Sequence, residues 1–106
     1  MKPLLIAGLL GGALLAMDAQ AQSGDPEAGK DKIAACAACH GTDGMGTAPI
    51  YPNLAGQSAT YLESAMKAYR DGKRGGGMSA IMAPQAQGLS DEDIADMSAY
   101  YASLEP

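Results

Sequence analysis

Apolar residues recur with helical spacing in two stretches of the chain. The first lies between Ser58 and Arg70, and its apolar residues fall at i, i+1, i+4, i+5 and i+8, on one helix face: Tyr61, Leu62, Ala65, Met66 and Tyr69. The second follows Ser90 and repeats at i, i+3, i+7 and i+10: Ile94, Met97, Tyr101 and Leu104. No segment alternates apolar and polar residues as a half-buried strand does, so the pattern predicts an all-α domain.

Capping residues predict a further helix near the start of the chain, and they mark where the helix between Ser58 and Arg70 begins and ends. Asp25-Pro26-Glu27 combines an N-cap acceptor, a proline at the first helical position and an acidic residue in the first turn. These residues predict a helix over residues 26–38. Ser58 is the predicted N-cap of the next helix, which ends near Arg70 because Asp71-Gly72 follows.

Turn-forming residues separate these helices from a third. Ser90 and Asp93 have the spacing of a capping box, with Asp in place of the usual Glu or Gln, and predict the start of the third helix. Glycines and prolines predict irregular structure over residues 41–52 and 73–88, where Pro84 argues against a continuous helix. Structureless loops of this length in a small domain usually hold a ligand.

The N-terminal segment has the order of a secretory signal peptide. Lys2 precedes an apolar run over residues 4–15, and Ala19-Gln20-Ala21 follows as a small-x-small cleavage site. The run is too short to cross a bilayer. We therefore expect residues 1–21 to be removed, leaving one domain over residues 22–106 that is periplasmic and not inserted in the membrane.

The composition of the mature domain indicates a bound cofactor. The chain contains neither Phe nor Trp, the side chains that usually bury the most area, and its apolar residues are mostly small. A large apolar cofactor would supply the missing core volume.

The net charge of the mature domain argues against binding to nucleic acid or to anionic membranes. Without Lys2 and Asp18 of the signal peptide, six basic and eleven acidic residues give a net charge of −5.

The sequence Cys36-Ala37-Ala38-Cys39-His40 is a Cys-x-x-Cys-His motif, which attaches c-type haem. The two thiols add to the two vinyl groups of the haem, and the histidine that follows can bind the iron. A thioredoxin-like dithiol is disfavoured because the chain lacks a βαβ pattern. A structural zinc site is disfavoured because the chain offers only two cysteines and one histidine.

The second ligand of the iron cannot be histidine, because His40 is the only one in the chain. It is a methionine, or the position is open to water or empty. Of the seven methionines, two fall in the signal peptide and three lie too near His40 or on the helix stripes. Met78 and Met82 remain nearly equal candidates, with a slight advantage for Met82 because Pro84 stiffens the chain beyond it.

The order of these features over nearly all of the mature chain resembles the small bacterial monohaem class I cytochromes c. The resemblance adds to the haem motif a set of matching positions: Gly29, residues 52–57, residues 69–74, Met82-Ala83-Pro84, Gly88-Leu89-Ser90 and residues 99–101. It implies the class I cytochrome c fold, with three main helices and glycine-rich loops wrapped around one covalently bound haem c.

The resemblance also implies roles for single residues. Met82, which Ala-Pro follows, matches the axial methionine, so His40 and Met82 are the implied iron ligands. Pro52 matches the proline whose carbonyl accepts the Nδ1 proton of the iron-binding imidazole. The other implied haem contacts are pocket residues Asn53 and Leu54 and propionate-binding residues Tyr69 and Arg74.

Two glycine features complete the comparison with this family. Gly29 matches the glycine at the crossing of the first and last helices, where it packs against an aromatic residue, here Tyr100 or Tyr101. The Gly75-Gly76-Gly77 run departs from the family, because relatives often carry bulkier residues there.

The sequence thus predicts a one-electron carrier rather than an enzyme. We expect a monomer that exchanges electrons with protein donors and acceptors, among which a membrane oxidase or reductase is a candidate. The alternative is a haem enzyme or gas-binding protein with an open sixth coordination position.

Overall fold

The computed structural model describes residues 24–77 and 79–106, so the predicted signal peptide and Met78 lie outside the described part. This part contains helices and no strand: α1 Pro26–Lys30, α2 Ala34–His40, α3 Ala59–Arg70, α4 Ser79–Ala86 and α5 Asp91–Ser103. No helix among these residues is long and apolar enough to cross a membrane. The all-α prediction is confirmed.

The predicted starts of α3 and α5 are confirmed in detail. The Ser58 hydroxyl accepts a hydrogen bond from the Tyr61 N–H at 3.2 Å. At the start of α5, Ser90 Oγ accepts the Asp93 N–H at 3.0 Å, and the Asp93 carboxylate accepts the Ser90 N–H at 3.1 Å. Both caps satisfy backbone donors that have no partner inside the helix.

The single helix predicted over residues 26–38 is wrong, because a turn over residues 31–33 divides it into α1 and α2. The Lys32 N–H closes this turn on the Gly29 carbonyl at 2.9 Å. Glycine has a low helix propensity, which weakens α1 near its end. Ile33 is the last residue of the turn and is 3% exposed, so its burial in the core compensates for the lost helical bonds.

The irregular structure predicted over residues 73–88 is also wrong in part, because α4 occupies Ser79–Ala86 and contains Pro84. Pro84 lacks the N–H that would bond to the Ala80 carbonyl, and a proline ring also crowds the carbonyl four residues before it. Ala80 is an exposed residue. Ala86 at the end of α4 is fully buried, and α4 packs on α3. Tertiary packing therefore outweighs the local effect of the proline.

Helix α5 is the centre of the fold, because α1 and α3 both pack on it. The buried core cluster joins α3, α5 and the turn before α2: Ile33, Leu62, Met97, Tyr100 and Tyr101. A Cβ atom on Gly29 would overlap the Asp96 carbonyl and lie 3.0 Å from the Tyr100 Cβ. The predicted helix crossing at Gly29 is confirmed, and its aromatic partner is Tyr100.

The two predicted apolar stripes are buried to different extents. On α5, Ile94, Met97 and Tyr101 are at most 5% exposed, as expected for a core-facing stripe. On α3, Leu62 is 7% exposed whereas Tyr61 is 49% exposed. Only part of the α3 stripe therefore faces the protein core.

Candidate haem site

The three residues of the Cys-x-x-Cys-His motif lie on α2. Cys36, Cys39 and His40 are spaced at i, i+3 and i+4, which brings them to one side of the helix. Both cysteines are free and half-buried. Burial raises the pKa of the Cys36 thiol, whereas dithiols that act in redox exchange have a lowered thiol pKa. The described residues also contain no strand, so they lack the βαβ context of a thioredoxin-like dithiol.

His40 is oriented by the loop that follows α2. The imidazole is 7% exposed, and its Nδ1 lies 2.8 Å from the Pro52 carbonyl oxygen. A carbonyl can only accept a hydrogen bond, so Nδ1 carries the proton. The lone pair of Nε2 is then available to a metal ion, and the bond to Pro52 makes this nitrogen a stronger donor.

The loop between His40 and Pro52 is closed by its own hydrogen bonds. The Thr47 N–H and hydroxyl bond to the Cys39 carbonyl at 2.9 Å and 3.2 Å, which satisfies an acceptor at the end of α2. The Asn53 side-chain oxygen accepts the Gly46 N–H at 2.7 Å. Asn53 is exposed and in this structure ties the loop together, whereas the predicted role was pocket lining.

Two tyrosines of α5 hold the same loop, and sequence reasoning missed these contacts. The Tyr100 hydroxyl donates to the Thr42 carbonyl at 2.7 Å, and the Tyr101 hydroxyl donates to the Gly41 carbonyl at 3.2 Å. Their rings also pack edge to face, with centroids 5.3 Å apart. A buried tyrosine hydroxyl usually has a hydrogen-bond partner, but the position of the tyrosine in the sequence does not show which group that partner is.

The other predicted haem contacts lie on separate parts of the fold. Leu54 is half-buried and packs against the core cluster. The Arg74 guanidinium lies over the Tyr69 ring, 4.8 Å from its centroid, in a cation–π contact. Met82 is half-buried on α4. The structure thus brings together the cysteines, His40 and Pro52, and places Met82 on another helix.

The residues present fit a covalently attached haem. Two thiols spaced at i and i+3 adjoin a histidine with a free Nε2, which is the donor set that a c-type haem requires. Large apolar side chains are also exposed on three separate segments: Ile50 at 61%, Tyr61 at 49% and Ile81 at 46%.

Known proteins resemble the chain in sequence and in structure. Residues 26–105 match the family model described as cytochrome c. The chain is 72% identical over 83 residues to cytochrome c-554(548) of Halomonas halodenitrificans, an alignment that covers 78% of this chain and 100% of that protein. It is 47% identical over 81 residues to cytochrome c4 of Pseudomonas aeruginosa, which covers 76% of this chain and 39% of that protein.

Among solved structures, reduced recombinant cytochrome c4 from Pseudomonas stutzeri matches with a TM-score of 0.63 and 38% sequence identity. The match covers 78% of this chain and 47% of that one. The chain therefore spans less than half of the cytochrome c4 proteins, but the whole of the Halomonas halodenitrificans protein.

Proposed function

Since the chain belongs to the cytochrome c family, we propose that it is a periplasmic one-electron carrier whose iron is bound by His40 and Met82. Its class I fold, its haem c attached through Cys36 and Cys39, and its function in electron transfer follow from the family. The identity of the iron ligands, the location and the absence of catalysis are the parts that we propose.

The contact between His40 and Pro52 is the observation that carries the proposal. Its 2.8 Å hydrogen bond fixes the protonated nitrogen and leaves Nε2 as a ligand. When bound, the haem supplies a one-electron couple between Fe(III) and Fe(II). A Met82 thioether bound to the iron would favour the reduced form and raise the reduction potential. Ligation by both His40 and Met82 would also deny oxygen and peroxide access to the iron, which supports an electron carrier rather than an enzyme.

The N-terminal sequence and the charge support the rest of the proposal. A secretory signal over residues 1–21 directs the chain to the periplasm, the compartment in which bacterial c-type haem is attached. We propose a monomer that meets its electron donor and acceptor by diffusion. A net charge of −5 favours partners with basic docking faces, one of which is a membrane oxidase or reductase.

The optical spectrum of the oxidised holoprotein tests the iron ligands. Ligation by histidine and methionine gives a weak far-red band from charge transfer between sulfur and iron. We expect this band in the natural protein and its loss in Met82→Ala, because alanine offers no sulfur. Met66→Ala, which removes a half-buried methionine from α3, is the matched control and should keep the band.

The same spectra distinguish the alternatives. Loss of the band in Met78→Ala and its retention in Met82→Ala would reverse the ligand assignment. A natural protein without the band would have an open sixth position, and the haem enzyme or gas-binding protein would then replace the electron carrier.

A further inference from the structure

Arg70, the last residue of α3, binds the segment that joins α4 to α5. Its Nη1 donates to the Leu89 carbonyl at 3.2 Å and to the Asp91 carboxylate at 2.8 Å. In return, the Gln87 side-chain amide donates to the Arg70 carbonyl at 3.1 Å. We call Arg70, Gln87, Leu89 and Asp91 the α3 clasp. It secures the chain immediately after α4.

The guanidinium is held in place within this clasp. Its Nε donates to the Asp71 carboxylate at 3.1 Å, and the side chain is 21% exposed. The Asp71 and Asp91 carboxylates both favour the charged guanidinium and raise its pKa further. Arginine can form these contacts at the same time because its donors have a rigid fork geometry, which a lysine ammonium lacks.

The chain that enters α4 is held much less firmly. Gly75, Gly76 and Gly77 are exposed, and a Cβ atom added to any of them meets no other atom within 4 Å. Gly76 and Gly77 have φ values of +83° and +52°, which glycine adopts at little cost. Three successive glycines give this segment of backbone many accessible conformations. Helix α4 is therefore secured from its C-terminal side and from its packing on α3.

We propose that Arg70 is a positioning residue that holds α4 so that Met82 stays on the iron. The proposal rests on the proposed ligation by Met82. Met82 lies one helical turn before Ala86, and the clasp begins at the next residue, Gln87. Without the clasp, α4 would be tethered by its packing on α3 and by the glycine run, which is flanked by the Arg74–Tyr69 cation–π contact and by the hydrogen bond from the Ser79 N–H to the Gly76 carbonyl at 3.1 Å. The thioether would then leave the iron more often.

Imidazole binding to the oxidised holoprotein measures how readily the methionine leaves, because imidazole takes the same coordination position. Arg70→Ala should raise the affinity for imidazole by about tenfold, the scale expected from losing charge-assisted hydrogen bonds. Arg70→Lys should recover only part of the natural value. Lys30→Ala, which removes an exposed basic residue at the end of α1 and away from the clasp, should change the affinity less than about twofold.

Two further variants test the clasp without removing the guanidinium. Gln87→Ala removes the return hydrogen bond and should raise imidazole affinity several-fold. Gly75→Ala should lower the affinity for imidazole. Gly75 has no positive φ and has space for a methyl group, so alanine stiffens the chain that enters α4 without strain. These variants keep the proposal testable if Arg70→Ala does not fold.

Met82→Ala separates failure of this inference from failure of the proposed function. If Met82→Ala does not raise imidazole affinity, Met82 is not the ligand and the proposed function is wrong. If Met82→Ala raises imidazole affinity, but folded Arg70→Ala and Gln87→Ala bind imidazole as tightly as the natural protein does, only the role of Arg70 is overturned.

Discussion

At the crossing of α1 and α5, a missing side chain determines how closely two backbones approach. Gly29 is buried, and a methyl group there would overlap the Asp96 carbonyl. We expect Gly29→Ala to lower the free energy of unfolding by about 1–3 kcal/mol, the usual range for overpacking. In a helix, alanine is normally more stabilising than glycine by about 1 kcal/mol, and this gain opposes the destabilisation by overpacking. Thermal unfolding of the holoprotein, followed by circular dichroism, measures the net effect.

Gly88→Ala is the matched control for this substitution. Gly88 has no positive φ, and a Cβ atom there meets nothing within 4 Å. It should leave the melting temperature unchanged or raise it slightly. Equal melting temperatures for the two alanine variants would contradict the close packing inferred at Gly29.

Single residues also show what the sequence can identify in the site and what it cannot. Cys36, Cys39 and His40 are found from sequence because their chemistry requires a fixed local spacing. The tyrosine contacts to the loop after His40 are not found, because donor and acceptor lie 58 and 60 residues apart. Which backbone carbonyl a buried hydroxyl reaches depends on how the helices pack.

At the scale of the helices, a cluster of charged groups joins the turn after α1 to α5. Lys32 Nζ lies 3.0 Å from the Asp93 carboxylate and 2.8 Å from the Asp96 carboxylate. Asp96 is 6% exposed and also accepts the Asp25 N–H at 2.8 Å. The Asp25 N–H and the Lys32 ammonium lower the pKa of Asp96. Hydrogen bonding to Lys32 likewise lowers the pKa of Asp93.

These pKa shifts predict how stability depends on pH. A carboxylate with a lowered pKa in the folded protein stabilises the fold above its unfolded pKa of about 3.9, and this contribution is lost as the pH falls further. We therefore expect Asp96→Asn to lower the melting temperature by several degrees at pH 7. The difference should begin to narrow below about pH 4, where Asp96 becomes protonated in the unfolded chain, and should keep narrowing until the pH falls below the lowered pKa of Asp96 in the folded protein.

Glu92→Gln removes an exposed carboxylate from the same helix and provides the control. Its melting temperature should follow that of the natural protein at both pH values. A difference between Asp96→Asn and the natural protein that stayed constant down to pH 2 would show that the charge of Asp96 is unimportant.

Helices are predictable from the sequence to the extent that their signals are local. The caps at Ser58 and Ser90 involve residues three positions apart, and both were predicted. The division between α1 and α2 was not predicted, because it depends on burial of Ile33 in a core built from distant residues. Helix α4 was missed for the same reason, since packing of Ala86 outweighs the effect of Pro84.

At the scale of the whole molecule, the protein core is small. The described residues bury eight hydrophobic side chains, of which two are alanines and none is Phe or Trp: Ile33, Ala55, Leu62, Ala86, Ile94, Met97, Tyr100 and Tyr101. Domains of this size are close to the limit at which a hydrophobic core suffices for folding. The attached haem must therefore contribute much of the stability.

The Cys36→Ala/Cys39→Ala double variant tests this contribution, because it removes both attachment points. Kept free of haem, it should lose most of its helical circular dichroism and its cooperative thermal unfolding. Met82→Ala retains both thioether bonds and should remain helical. A haem-free double variant that unfolds cooperatively with the full helical signal would contradict the inferred dependence.

The crossing of α1 and α5 also closes most of the described chain into one long loop. The hydrogen bond between Asp25 and Asp96 joins residues 71 positions apart, and the cysteine motif lies between them. A contact of such long range forms slowly, because the entropy of closing the loop is lost before the contact is made. We therefore expect formation of this crossing to be a slow step in the folding of the domain.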